Sequence, residues 1–109
     1  MILHITDRQQ WEQAKEKGIY RCESLGTEGF IHCSTPEQLT AVANSFFRGQ
    51  QGLVLLCIEV DRLQAELRYD PVENQLFPHL YGPLNLDAVI QVLDFTPDAM
   101  GFHLPPELQ

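Results

Sequence analysis

An imidazole titrates near neutral pH, so histidine is the side chain in this sequence best suited to moving protons. Four are present, His4, His32, His79 and His103. Three stand in segments that read as strand or rigid turn. In Ile2-Leu3-His4-Ile5-Thr6 the period-two alternation puts Ile2, His4 and Thr6 on one face and Leu3 and Ile5 on the other, with His4 near a strand end. In Phe30-Ile31-His32-Cys33 the same rule places His32 with Phe30 and turns Cys33 away. Neighbouring His32 and Cys33 therefore do not form a nucleophile and base pair, since those groups must lie side by side. His79 lies in Phe77-Pro78-His79-Leu80-Tyr81-Gly82-Pro83, where Pro78 extends Phe77 and Gly82 with Pro83 enforces a bend. A rigid, aromatic-rich turn of this kind suits a pocket wall. His103 stands in a proline-rich tail and carries no such signal.

Each imidazole also has a plain packing role open to it, a half-buried ring hydrogen-bonded to a nearby carbonyl. A set of three neutral imidazoles would bind Zn, Cu, Ni or Fe and leave a coordination position open, which makes a His-only metal site an alternative. The spacing speaks against it. Close-set ligand patterns such as H-x-H or H-E-x-x-H are missing, and each histidine comes from a separate segment. Cys22, Cys33 and Cys57 are odd in number and lack C-x-x-C spacing, so they read as small apolar fillers, with neither disulfides nor a thiolate metal site expected.

The elements that must position these residues are legible in part. After a first strand, Thr6 with Gln9 has capping-box spacing, and a helix is expected from about Asp7 to Lys17, with Trp11 and Ala14 inward and Gly18 as its stop. Ile19 to Cys22 reads as a second strand, Glu23 to Gly29 as a loop and Phe30 to Cys33 as a third strand. Thr35, Pro36 and Gln38 announce a second helix, whose stripe is Leu39, Val42, Ala43 and Phe46 and whose end is Gly49. Leu53 to Val60 and Ala88 to Phe95 have the apolar character of strands covered on both faces. Leu67 to Asp70 suits a short edge strand, and Pro78, Gly82 and Pro83 are expected to break any long element around His79. The segment from Thr96 to Gln109, with four prolines and glycines at Pro97, Gly101, Pro105 and Pro106, reads as an irregular tail.

With 109 residues the chain matches one domain, 1–109, and the irregular order of strands and helices favours an α+β fold. The formal charge of −8 opposes an extended phosphate backbone, so no DNA or RNA track is expected. A local pocket near Arg21, Arg48 or Arg68 would still suit one phosphorylated small molecule. The longest apolar run, Leu53 to Ile58, is far short of the roughly 18 residues a membrane span needs. The first residues do not read as a signal peptide, so the cytoplasm is the expected location.

The blocks Ile2-Leu3-His4-Ile5-Thr6, Glu28-Gly29-Phe30-Ile31-His32-Cys33-Ser34-Thr35 and Phe77-Pro78-His79-Leu80-Tyr81-Gly82-Pro83-Leu84 closely resemble the bacterial domain-of-unknown-function family numbered 952. That family looks like a minimal ADP-ribosyltransferase fold, a split and mainly antiparallel sheet with two helices that grips NAD in a cleft. The resemblance implies NAD or a related nucleotide as ligand, with His4 on the adenosine ribose and Thr6 beside it. His32 matches the place of a tyrosine that stacks on nicotinamide, and His79 stands where such transferases often carry a glutamate. Without that carboxylate, protein ADP-ribosylation by the usual route is not implied. Fold relatives that use NAD as a phosphate acceptor in RNA 2′-phosphate transfer line their clefts with basic and histidine residues, which is a nearer likeness. The resemblance thus points to His32 and His79 as catalytic and to His4, Thr6, Ser34, Arg68 and Tyr81 as ligand contacts. A noncatalytic binding module on the same fold is the competing expectation.

Overall fold

The computed structural model describes all residues from Met1 to Gln109. The apolar run at its centre forms β4 (Leu53–Ile58), every residue of which is buried. It lies between β1 (Ile2–Asp7) and β8 (Val89–Phe95), paired antiparallel with both. Because β4 is covered on both faces, its alternation separates two cores. Val54, Leu56 and Ile58 pack with Ile2, Trp11, Ile31 and Leu80, whereas Leu53, Leu55 and Cys57 pack with Leu3, Leu39, Ala43 and Phe102. β8 is an edge strand, and Ile90, Gln91 and Asp94 face solvent. It therefore lacks the two-sided burial its composition suggests.

Two smaller ladders complete an α+β fold with mainly antiparallel sheets. β2 (Ile19–Tyr20) pairs with β7 (Leu84–Asn85), and β3 (Ile31–His32) pairs with β6 (Gln75–Tyr81), which in turn pairs with β5 (Glu66–Val72). The expected break at Pro78 does not occur: β6 runs through it. The carbonyl of Pro78 accepts from Cys33 N–H at 3.0 Å, so the side of the residue that lacks a donor faces β3 at its end. The ladder to β5 loses nothing, and the β5–β6 hairpin keeps its seven residue pairs up to the turn at Glu73 and Asn74. The φ of 54° at Glu73 lets the chain reverse there.

The helices number three. α1 (Arg8–Lys17) is capped by Asp7, whose carboxylate accepts from Gln10 N–H at 2.7 Å, and it stops at Gly18 with φ 78°. Thr6 is not the cap, because it is held in the ladder opposite Val54. α2 (Glu23–Thr27) occupies the segment read as a loop. Its hydrogen bonds are local, and Ser24 anchors it by donating to the Phe30 carbonyl at 2.7 Å. α3 (Pro36–Phe46) follows its capping signal: Gln38 Oε1 accepts from Thr35 N–H at 3.1 Å. Leu39 and Ala43 of its stripe are fully buried, while Phe46 projects 75 % exposed. The tail from Thr96 has little regular structure yet is docked. Asn44 donates to the Phe102 carbonyl at 3.2 Å and accepts from Phe102 N–H at 2.8 Å, and the Phe102 ring is buried against Phe95. No helix is long and apolar enough to cross a membrane.

Candidate functional site

His4 sits within β1 and not at its end, with both ring nitrogens engaged inside the chain. Nδ1 lies 2.6 Å from the carbonyl oxygen of His32, which only accepts, so Nδ1 carries the proton. Nε2 then accepts from the Tyr20 hydroxyl at 2.7 Å. Burial pushes the His4 pKa down to about 4, and burial likewise raises that of Tyr20. This neutral imidazole ties β1 to β2 and β3. Thr6 is similarly occupied, its hydroxyl donating to Gln10 Oε1 at 3.2 Å. Neither residue keeps a free polar atom for the ribose contact that the resemblance implies.

The outer face of the β3–β6–β5 ladder is arranged differently. His32 and His79 are direct cross-strand partners, with ring centroids 5.4 Å apart and nearly perpendicular planes. Phe30 stacks on His79 at 4.0 Å. Asp70, one diagonal step away on β5, brings Oδ2 to 2.8 Å from His79 Nδ1 and also accepts from the Tyr81 hydroxyl. The Tyr81 hydroxyl, and then His79, hold the Asp70 carboxyl below the usual carboxylate range, while the same carboxylate raises Tyr81. A carboxylate accepts only, so the neutral His79 ring carries its proton on Nδ1 and its lone pair on Nε2. Nε2 has no partner within the chain, and no buried polar side-chain atom of the protein lacks one, so Nε2 is open to whatever enters from outside. His32 Nε2 is 3.0 Å from Glu28 Oε2, which gives the second imidazole a carboxylate of its own.

A carboxylate does stand beside His79, brought from another strand, while the place that the resemblance gives to a glutamate is held by His79 itself. Asp70 is absent from the sequence block around His79 because it arrives through hairpin register: the turn at Glu73-Asn74 pairs Arg68 with His79 and Asp70 with Phe77. Counting pairs outward from that turn would have found it. Arg68 lies over the Tyr81 ring at 4.5 Å and gives Nε and Nη2 to Glu66 at 2.8 and 3.0 Å. It is thus a paired cation at the border of the cluster. His103 bonds Asp98 on the surface, 3.1 Å away.

Beside the cluster opens a cavity of about 400 Å³. His32 and Phe77 form the wall it shares with the His79 site, and Leu3, Val42, Phe46 and Phe47 enclose the rest. Ser34 and one edge of His4 also reach it. The structure so brings His32, His79, Tyr81 and Arg68 together, places Ser34 in the neighbouring cavity, and keeps His4 and Thr6 in the interior. No group of three His, Cys, Asp or Glu side chains is disposed to hold a metal ion, and both ring nitrogens of His4 are hydrogen-bonded within the chain.

The model of the family described as "Protein of unknown function (DUF952)" matches residues 5–92, which include β3, β5 and β6 with all the side chains of the His79 cluster. The chain belongs to the DUF952 family. The match begins one residue after His4. Among solved structures, the crystal structure of protein CC0527 from Caulobacter crescentus is 36% identical, covering 98% of this chain and 96% of that one, with a TM-score of 0.89. The solution structure of the same protein is 37% identical, covering 93% and 89%, with a TM-score of 0.81. The DUF952 architecture described above is thus shared with an experimentally solved relative across nearly its full length. No curated protein matches the chain.

Proposed function

We propose that this DUF952 protein is a small acid–base enzyme in which His79 is the catalytic imidazole, Asp70 orients it and His32 is its partner. The observation that carries the reading is the Asp70–His79 hydrogen bond of 2.8 Å, which fixes the proton on Nδ1 and leaves Nε2 without a partner in the chain. A carboxylate that holds an imidazole in one tautomer makes its other nitrogen an efficient general base. With Nε2 taking a proton from water or a hydroxyl, and His32, whose Nε2–H goes to Glu28, left with Nδ1 as a second acceptor beside it, hydrolysis or group transfer are the reactions this geometry favours.

The nucleotide is the part of the reading that rests on resemblance. NAD, or a related nucleotide, would put one ring into the apolar cavity and its bond to ribose near His79. Its pyrophosphate would lie at the mouth, with Arg68, stacked over Tyr81 and shared with Glu66, as the cation at the border of the cluster. Tyr81 and Ser34 would supply further polar contacts. As an ADP-ribosyl or phosphoryl transferase, the protein would use His79 in place of the glutamate of its larger fold relatives.

Calorimetric titration with NAD, ADP-ribose and nicotinamide tests the ligand, and NAD turnover tests the chemistry. Binding below about 1 mM is expected, with turnover lowered about 10²- to 10⁴-fold in His79→Ala. Failure of all three compounds to bind would remove the nucleotide, and turnover unaffected by His79→Ala would remove the catalytic role.

A further inference from the structure

The cavity next to the His79 cluster has a character of its own. No Asp, Glu, Lys or Arg lines it, His4 is a neutral imidazole with both nitrogens spent, and His32 in the wall already faces Glu28, so a charged ligand finds no free counter-charge inside. Its walls are aromatic and aliphatic: Phe46, Phe47 and Phe77 with Leu3, Ile5 and Val42. At the mouth Phe46 is 75% exposed and Val72 43% exposed, large apolar surfaces left without a partner.

One polar group points into this space. Ser34 is only 5% exposed, both its backbone groups are bonded to Leu3, and its hydroxyl makes no hydrogen bond in the chain. As no fully buried polar side-chain atom is unpartnered, that hydroxyl is open to the cavity it lines. The other buried or half-buried polar side chains in the wall are committed elsewhere. His4 bonds His32 and Tyr20, and Ser24 bonds Phe30. A buried hydroxyl in an apolar wall is a specificity element, since a ligand lacking a matching group leaves it desolvated and unpaired.

From these observations we infer that the cavity binds a neutral aromatic group bearing a single hydrogen-bonding substituent, which Ser34 Oγ engages. Size sets the scale. A dry apolar cavity of about 150 Å³ accepts benzene, so about 400 Å³ has room for a fused bicyclic ring. Three phenyl walls favour a flat aromatic ligand over a linear chain, through offset and edge-to-face contacts. The cavity is the one that the nucleotide reading gives to a ring, and the inference names the kind of ring it takes; it stands on the cavity's own lining, whether or not His79 performs chemistry.

The test uses three probes of similar size on the whole protein, 2-acetylnaphthalene, its anionic counterpart 2-naphthoate and the linear ketone 2-decanone, followed by amide chemical shifts in NMR. The neutral naphthalene is expected to bind most tightly, shifting Ser34, Val42, Phe46 and Val72, with naphthoate and decanone each about tenfold weaker or more. Ser34→Ala raises its Kd about fivefold, Val42→Trp fills the space and abolishes binding, and His79→Ala leaves the Kd within about twofold. Unchanged thermal midpoints in Ser34→Ala and Val42→Trp show that these effects are local. Naphthoate or decanone binding as well as the neutral naphthalene would overturn the proposal, as would absence of binding or an undisturbed Kd in Ser34→Ala. Naphthalene binding without any NAD binding would leave this inference standing and remove the nucleotide alone.

Discussion

His4 and His79 look alike by the usual measures: both lie on strands, both are nearly closed to solvent at 7% and 5% exposure, and both give Nδ1 to an oxygen. They differ at the other nitrogen. His4 spends Nε2 on Tyr20, inside the core, with no charge nearby to stabilise an imidazolium. His79 keeps Nε2 free and has a carboxylate behind it. Exposure does not separate a structural imidazole from a reactive one; the count of unspent ring nitrogens and the charge of the partner do.

The largest effect that would break this comparison is on stability at His4. His4→Ala opens a cavity and leaves the His32 carbonyl and the Tyr20 hydroxyl unpaired, a loss of about 4 kcal/mol in urea unfolding. The same substitution at His79 costs much less, because the group it leaves behind, Asp70, is partly solvated and keeps Tyr81. Equal losses at the two sites would erase the distinction.

Acid is the next lever. His4 stays neutral in the fold down to about pH 4, whereas in the unfolded chain it takes up a proton below its ordinary 6.5. The unfolded state therefore binds more protons in that window, and stability falls as the pH drops from about 6.5 to 4. The contribution is about 3 kcal/mol, fully present above pH 6.5. Unfolding free energies measured across that range should show the slope in the wild type and a shallower one in His4→Gln.

The comparison also shows what a sequence can reveal. The start of α3 was legible, since Thr35, Pro36 and Gln38 act through local hydrogen bonds. So was β4, whose nearly unbroken apolar run suits a strand covered on both faces. The α2 segment was not, because its glycine and polar residues signal a loop, while its anchor, Ser24 to the Phe30 carbonyl six residues on, is a side-chain bond that no pattern of residue types announces. Pro78 misled for a related reason: whether a missing donor matters depends on which neighbour it faces. At the site, the nearness of His32 and His79 needed β3 beside β6, and Asp70 needed the hairpin register. Family likeness marked the histidines but not the carboxylate between strands, and it gave His4 a ligand contact where the fold gives it Tyr20.

Smaller effects sharpen the contrast. Tyr20→Phe leaves His4 Nε2 buried without a donor and should cost about 1–2 kcal/mol, again in urea unfolding. Asp70→Asn, at a partly solvated position that keeps its hydrogen-bonding shape, should cost about 1 kcal/mol. Its signature is instead in the His79 ring, which loses the carboxylate that fixes its tautomer. Ring ¹⁵N shifts should show Nδ1–H alone in the wild-type neutral ring and a mixture in the variant, with His4 unaltered.

The most direct test of the central claim is the long-range ¹H–¹⁵N spectrum of the imidazoles during titration with NAD. A free Nε2 on His79 and none on His4 predict that the His79 Nε2 resonance moves with added ligand while both His4 nitrogens stay fixed. A stationary His79 beside a shifting His4 Nε2 would contradict the account.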